Sequence, residues 1–123
     1  MDAILRREHL ETDQNPNAKV EYVVTLSGTI SENCQVAVRY IPDQAILKPA
    51  SFGTYLSTLG TLNWDRMEAL SLTILNDLNN ELIPRWVQIT VSGMSAGLAH
   101  RVTLEDRQPR WDNPVLLARI GPF

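Results

Sequence analysis

Apolar and polar side chains alternate along much of this chain, and where the alternation stops a helical spacing takes over. From Lys19 to Ile30, Val20, Tyr22, Val24, Leu26 and Ile30 share one face, while Glu21, Thr25, Ser27 and Thr29 share the other. A period of two over this length predicts a half-buried β-strand. Ser31-Glu32-Asn33 reads as a turn, and Gln35 to Ile41 as a second strand with Val36, Val38 and Tyr40 on one side. The two runs predict an antiparallel hairpin closed by Pro42-Asp43. Between Asp65 and Leu82 the period changes. Met67, Leu70, Ile74 and Leu78 recur at spacings of three and four, with Leu72 and Leu75 widening the stripe, and this predicts an amphipathic helix ending near Asn79-Asn80, before Pro84. Alternation returns from Arg85 to Met94, with Val87, Ile89 and Val91 opposite Trp86, Gln88, Thr90 and Ser92. Gly93 to Gly97 supplies a turn, and Ala99 to Leu104 a fourth strand.

The remaining segments are less regular. Residues 1–18 contain the turn-forming cluster Asp13-Gln14-Asn15-Pro16-Asn17 and read as a flexible N-terminal arm. Ala45-Ile46-Leu47 extends the sheet briefly. Ser51 to Leu59 fits a short helix capped by Ser51, which Gly53 would weaken. The segment 107–123 holds Pro109, Pro114 and Pro122 around Val115-Leu116-Leu117 and reads as an extended, docked tail; Asp106-Arg107-x-x-Arg110 before Trp111 reads as a solvated charge cluster, with a tail anchor as the alternative. Strands grouped around helices, without strict β-α-β alternation, predict an α+β domain over residues 19–106: an antiparallel four-stranded sheet with helices on one face. Such a sheet has two free edges, which natural proteins blunt or pair with another chain, so a homo-oligomer is expected.

Composition narrows the function classes. At 123 residues the chain has room for one core. Its net charge of -3 and scattered basic residues argue against a nucleic-acid partner. A single cysteine, Cys34, cannot staple the domain and points to a reducing compartment. The first residues, Met1 to Glu11, have no apolar core of a secretory signal, and no apolar run is long enough to span a bilayer, so the expectation is a soluble cytoplasmic protein without a membrane partner. His9 and His100 fall in different elements and no Cys/His pair has zinc-site spacing, so no metal is expected. Trp86 is predicted on the face away from the helices, where it either meets a partner or planar ligand or packs under the tail.

Several short motifs resemble the 7-cyano-7-deazaguanine (nitrile) reductases of the queuosine pathway, the QueF family, which have the tunnelling fold. Tyr40-Ile41-Pro42-Asp43 matches that family's strand end, Tyr55 follows at the family's spacing, Ile74-Leu75-Asn76-Asp77-Leu78 resembles the core of its long helix, and Pro84-Arg85-Trp86 the lead-in to its next strand. The resemblance implies a tunnelling-fold subunit that assembles into a ring and binds a planar purine or pterin between subunits. Counting back from Asn76-Asp77-Leu78, Glu68 falls on the family's ring-gripping glutamate, with Ser51 and Tyr55 as further ligand-binding candidates. A carboxylate offers two acceptors side by side for the paired N–H donors of a guanine-like edge. Asp65-x-x-Glu68 also has the spacing of a helix capping box, and the two roles stay open.

The chain departs from the reductase pattern at the chemistry. Thr25 stands near the nucleophilic cysteine position, and Cys34, several residues on, reads as a small half-buried strand residue. Glu32 falls near the family's acidic position and is the one catalytic candidate. Within Lys48-Pro49-Ala50-Ser51-Phe52-Gly53-Thr54-Tyr55, Ala50 and Gly53 replace the lysines that would meet NADPH phosphates, so no cofactor is expected. Met67 replaces the histidine before the gripping glutamate. The expectation is a QueF-like protein that binds a purine- or pterin-like ligand at a subunit junction without nitrile reductase activity. Two alternatives are a structural or interaction protein with a decayed site, and an enzyme of different chemistry in the same pocket.

Overall fold

The alternating stretches become the strands of one sheet. The computed structural model describes residues 2–121, so Met1, Pro122 and Phe123 of the expected arm and tail lie outside the described residues. The elements run α1 (Ala3–Arg7), β1 (Thr12–Gln14), β2 (Val24–Ser31), β3 (Cys34–Ile41), β4 (Ala45–Leu47), α2 (Pro49–Leu59), α3 (Met67–Leu82), β5 (Trp86–Ser95), β6 (Leu98–Arg107) and α4 (Pro114–Ile120). The main sheet is antiparallel with the order β2-β3-β5-β6, and α2 and α3 cover one face of it. The chain is thus α+β, as the patterning predicts.

Packing explains the register. Val36, Val38 and Tyr40 of β3 and Val87, Ile89 and Val91 of β5 are all buried on the helix side, where Tyr55, Leu56 and Leu59 of α2 and Leu70, Ile74, Leu78 and Leu82 of α3 meet them. Each such buried aliphatic side chain contributes roughly 1.5–3 kcal/mol by leaving water. Slipping β3 by one residue would turn Gln35, Ala37 and Arg39 into that layer, so one register is strongly preferred. Leu72 is 49% exposed and does not widen the α3 stripe; Leu75 is partly buried.

Boundaries differ from the sequence reading for local reasons. The first long strand begins at Val24, not Lys19, because Asn17 accepts from the Lys19 amide and holds residues 17–20 in a turn. The α2 helix starts at Pro49, whose missing N–H costs nothing at a helix start, and it runs through Gly53. Ser51 is not its cap. The α3 helix continues past Asn80 to Leu82 and is closed by Ile83 in the left-handed region at φ 45°, with the Ile83 amide donating to the Asn79 carbonyl. β4 does not extend the main sheet; it pairs with β1 in a separate two-stranded ribbon.

Both ends of the chain are docked. Residues 1–18 were expected to be a flexible arm, but they include α1 and β1, and Leu10 and Asn15 are buried. Asn15 donates to the Asp43 carbonyl and accepts from the Tyr22 hydroxyl. The tail forms α4 in place of an extended, irregular segment: Pro114 sits at the helix start and Asn113 caps it by accepting from the Leu116 amide. Glu21 accepts from the Trp111 and Asn113 side chains and pairs with Arg85, which fixes the tail's approach. The α4 helix lies against the sheet face opposite α2 and α3. Leu117 and Ile120 line a small cavity there with Arg39 and Trp86, and Arg39 donates to the Gly121 carbonyl at 2.9 Å. Trp86 is therefore packed under the tail, 3% exposed, with its indole N–H on Glu105 at 2.6 Å. Arg107 stacks over Trp111 and bridges Glu105 and Asp112, which favours the tail-anchor alternative for this residue. Among the described residues, no helix is long and apolar enough to cross a membrane.

Candidate functional site

Glu68 lies in the first turn of α3, where a carboxylate is favoured by the helix dipole. It does not close a capping box with Asp65. The residue preceding the helix is Arg66, and no side chain caps it. Glu68 instead turns toward β6, with Oε1 3.3 Å from Nε2 of His100, and Nδ1 of His100 lies 3.0 Å from the Ser95 hydroxyl. The Glu68 side chain is 53% exposed, so the pair itself adds at most about 1 kcal/mol of stability. Its position matters more than its energy. β6 is an edge strand, so the Glu68–His100–Ser95 chain sits beside a backbone ladder that has no neighbour within the subunit.

A cavity of about 290 Å³ opens beside the start of α3, walled by Cys34, Trp64, Asp65, Met67, Met94 and Ser95 among others, and Glu68 is not part of its lining. Local sequence shapes it. Gly93 faces Cys34 in the β3–β5 register, and a Cβ on Gly93 would lie 2.1 Å from the Asn33 carbonyl oxygen. Asn33 then clamps its neighbour strand, donating to the Met94 carbonyl at 2.8 Å and accepting from the Met94 amide at 3.0 Å. Burial pushes the Cys34 thiol up, so it is protonated at neutral pH and a poor nucleophile as it stands.

The other residues singled out by sequence lie elsewhere. Tyr55 is fully buried and donates to Asp77 Oδ2 at 2.5 Å. Burial first, and then the Asp77 carboxylate, hold its phenol far above the usual range. Ser51 lines a separate cleft with Glu8, His9 and Glu11, accepts from the Glu11 amide and lies 2.7 Å from the Lys48 carbonyl. Neither side chain reaches Glu68 in this conformation; both fasten the N-terminal segment to α2 and α3. Thr25 is exposed on β2 opposite Arg39, and Glu32 is exposed in the β2–β3 turn.

Sequence reasoning missed the densest polar cluster. Asp77 is fully buried and accepts from Arg6 Nε at 2.5 Å, Arg6 Nη2 at 2.9 Å, Arg7 Nε at 2.9 Å and Tyr55. The signal available was an acidic residue on the buried stripe side of α3, one position before Leu78, which needs a cationic partner from somewhere in the chain.

The order and antiparallel pairing of these elements can now be set beside known structures. The crystal structure of the archaeosine synthase QueF-Like in its apo form superposes on this chain with a TM-score of 0.54 and 24% identity, over 70% of this chain and 90% of that one. This chain has a QueF-like fold. At that identity the likeness establishes the fold, and it agrees with the tunnelling-fold architecture that the Tyr40–Asp43 and Ile74–Leu78 motifs imply. No protein-family model matches the chain, and no curated protein does. Within the QueF-like fold, Glu68 occupies the start of the long helix, and the cavity walled by Cys34 and Met67 lies between that helix and the first hairpin.

Proposed function

We propose that this QueF-like-fold protein binds a purine- or pterin-like ring where two copies of the chain meet, with Glu68 as the carboxylate that takes the ring's N–H donors. The observation that carries this reading is the orientation of Glu68. It is not consumed as a helix cap, it is half exposed, and it stands at the free β6 edge, where a second subunit would complete the site. Its two oxygens match paired N–H groups on one edge of a planar ring. Ser51 and Tyr55, the other ligand-binding candidates, lie apart from Glu68 and lock α2 against the N-terminal segment and Asp77. The free β2 and β6 edges supply the pairing surfaces for a homo-oligomer. Nitrile reduction is not part of the proposal, because Thr25 replaces the nucleophile and Ala50 and Gly53 replace the cofactor lysines.

A second reading, an enzyme of different chemistry, is favoured by one observation: His100 brings an imidazole 3.3 Å from Glu68. Met67 stands where the resemblance implies a histidine, and β6 brings His100 to Glu68 in space. A His–Glu pair within hydrogen-bonding reach can relay a proton to or from a bound ring.

The test is thermal stability with guanine, deazaguanines and pterins on wild type, Glu68→Gln and His100→Ala. A ring held at a hundred times its Kd raises stability by about 2.7 kcal/mol. Stabilisation by one ring class that is lost in Glu68→Gln supports the site, and retained binding in His100→Ala separates gripping from proton transfer. Stabilisation that survives in Glu68→Gln, or none with any ring, refutes the role of Glu68 and leaves the interaction-protein reading.

A further inference from the structure

The hydrogen-bonded chain from Glu68 through His100 ends on Ser95, and Ser95 belongs to the lining of the cavity beside α3. We propose that Ser95 is a nucleophile, with His100 as its base and Glu68 as the group that orients the base, and that the site hydrolyses carboxylic esters of a short, uncharged acyl group. The proposal goes beyond ring binding and does not rest on it.

The β5–β6 hairpin assembles the three side chains. Strand alternation puts Gly93 and Ser95 on the sheet face that carries the buried Val91, and His100, opposite Gly93, shares that face. Gly93 has no side chain, so the imidazole meets none directly across the ladder and reaches the diagonal neighbour. Its Nδ1 lies 3.0 Å from the Ser95 hydroxyl oxygen, within the roughly 2.6–3.2 Å of a nucleophile and its base. Its Nε2 lies 3.3 Å from Oε1 of Glu68 on α3. An ionised carboxylate only accepts, so in the neutral ring Nε2 carries the proton and Nδ1 turns its lone pair to the Ser95 hydroxyl. This is the tautomer that a base requires, and such a triad is recognised by geometry and roles, not by order along the chain.

The surroundings fit acyl transfer. Ser95 is exposed and ends β5 at the tight turn Ala96-Gly97, where φ is 52° and 80°. Among the described residues neither turn amide donates a hydrogen bond, so the Ala96 N–H, next after the nucleophile, is available to the oxyanion. In the cavity, Leu59 and Leu70 are buried, and Leu62, Trp64 and Met67 partly so, which gives an acyl chain an apolar bed. Its volume of about 290 Å³ limits that chain to a short one, and Asp65 in the wall disfavours an anionic one. Cys34 is no rival nucleophile, because burial keeps its thiol protonated.

In the first half-reaction the Ser95 hydroxyl gives its proton to His100 Nδ1 while Oγ bonds to the ester carbonyl carbon. The carbon–alkoxy bond then breaks, and the alcohol leaves with the proton from Nδ1. In the second, a water gives its proton to Nδ1 and attacks the acyl carbon. The bond to Oγ breaks, the acid departs and Oγ takes the proton back. Ester and water become acid and alcohol, with no change of oxidation state.

The test is stopped-flow hydrolysis of p-nitrophenyl butyrate, with diisopropyl fluorophosphate labelling followed by peptide mass mapping. The expected result is a burst of one p-nitrophenolate per chain and one phosphoryl adduct, on Ser95. Ser95→Ala, an exposed change that should leave Tm unmoved, should lose both. His100→Ala and Glu68→Gln should each slow acylation by about 100-fold or more. Absence of turnover, wild-type rates in Ser95→Ala, or an adduct on Cys34 or any residue other than Ser95 would overturn the proposal. Ring binding is read separately by thermal stability, so either idea can fail without the other.

Discussion

Replacing Asp77 by Asn is the sharpest test of how the N-terminal segment is held. The substitution keeps the side-chain volume but removes the charge and turns one acceptor into a donor. Arg6, with a side chain 12% exposed, and Arg7, at 25%, would then face an amide, and the Tyr55 hydroxyl would lose its carboxylate. Breaking a buried ion pair by removing one partner costs about 3–5 kcal/mol. At roughly 2.1 cal/mol/K per residue the unfolding entropy is near 260 cal/mol/K, so each kcal/mol moves Tm by about 4 °C. Asp77→Asn should therefore lower Tm by about 12–20 °C. Tyr55→Phe, which removes one hydrogen bond to a charged group, should cost about 1.5–3 kcal/mol, or roughly 6–12 °C. Urea unfolding of Arg6→Ala, Asp77→Asn and the double variant gives the coupling, expected above about 1 kcal/mol. An Asp77→Asn protein within about 0.5 kcal/mol of wild type, or single-variant effects that simply add, would refute the view that this carboxylate holds α1 in place. The same cluster has an alkaline signature. The Tyr55 phenol is raised in the folded state, so above pH 10, its ordinary value, the unfolded chain loses a proton that the folded one keeps. Stability should be full below pH 10 and fall as pH rises beyond it, less steeply in Tyr55→Phe.

Two further outcomes follow from other contacts. Trp111, Asn113 and Arg85 hold the Glu21 carboxyl below its usual range, so its contribution is complete above pH 4.5 and lost as pH falls through the lowered value; tail release should appear there as a change in Trp111 emission, and Glu21→Gln should blunt it. Gly53→Ala should stabilise by about 0.5–1 kcal/mol, since a Cβ there meets nothing within 4 Å of a helical site, whereas Gly93→Ala should destabilise by about 1–3 kcal/mol or more, because the Cβ collides with the Asn33 carbonyl; chemical denaturation of the pair distinguishes them in sign.

What the sequence revealed depended on whether a residue's partner was local. The strands were legible because Val36, Val38, Tyr40 and Val87, Ile89, Val91 report their burial through spacing alone. The α3 stripe was legible for the same reason. The docked arm was not: Arg6 and Arg7 have the pattern of solvated charge, and only the distant Asp77 makes them anchors. Nor was α4, since the prolines at 109 and 114 suggest an irregular tail, while Pro114 in fact occupies the one helical position that tolerates it. At the candidate site, sequence singled out Glu68 but offered Asp65 as its partner by spacing; the residue it meets, His100, comes from a strand and has no sequence signature. Ser51 and Tyr55 matched by spacing too, yet their hydroxyls are already engaged by Glu11, Lys48 and Asp77.

The position of α4 has a consequence for assembly geometry. Thr25, Ser27, Thr29, Gln35, Thr90 and Thr103 alternate outward from the core layer, so the sheet face away from α2 and α3 is polar, with hydroxyls and amides beside the charges of Arg39, Arg101 and Glu105. A ring closed through the β2 and β6 edges with α2 and α3 outside would turn that polar face into the wall of a bore. Each subunit would also carry one copy of α4 into the bore, clasped at Arg39 and Trp86. The channel's width at that end would then be set by a seven-residue helix and not by the number of strands, and trimming the tail would widen it without disturbing the sheet.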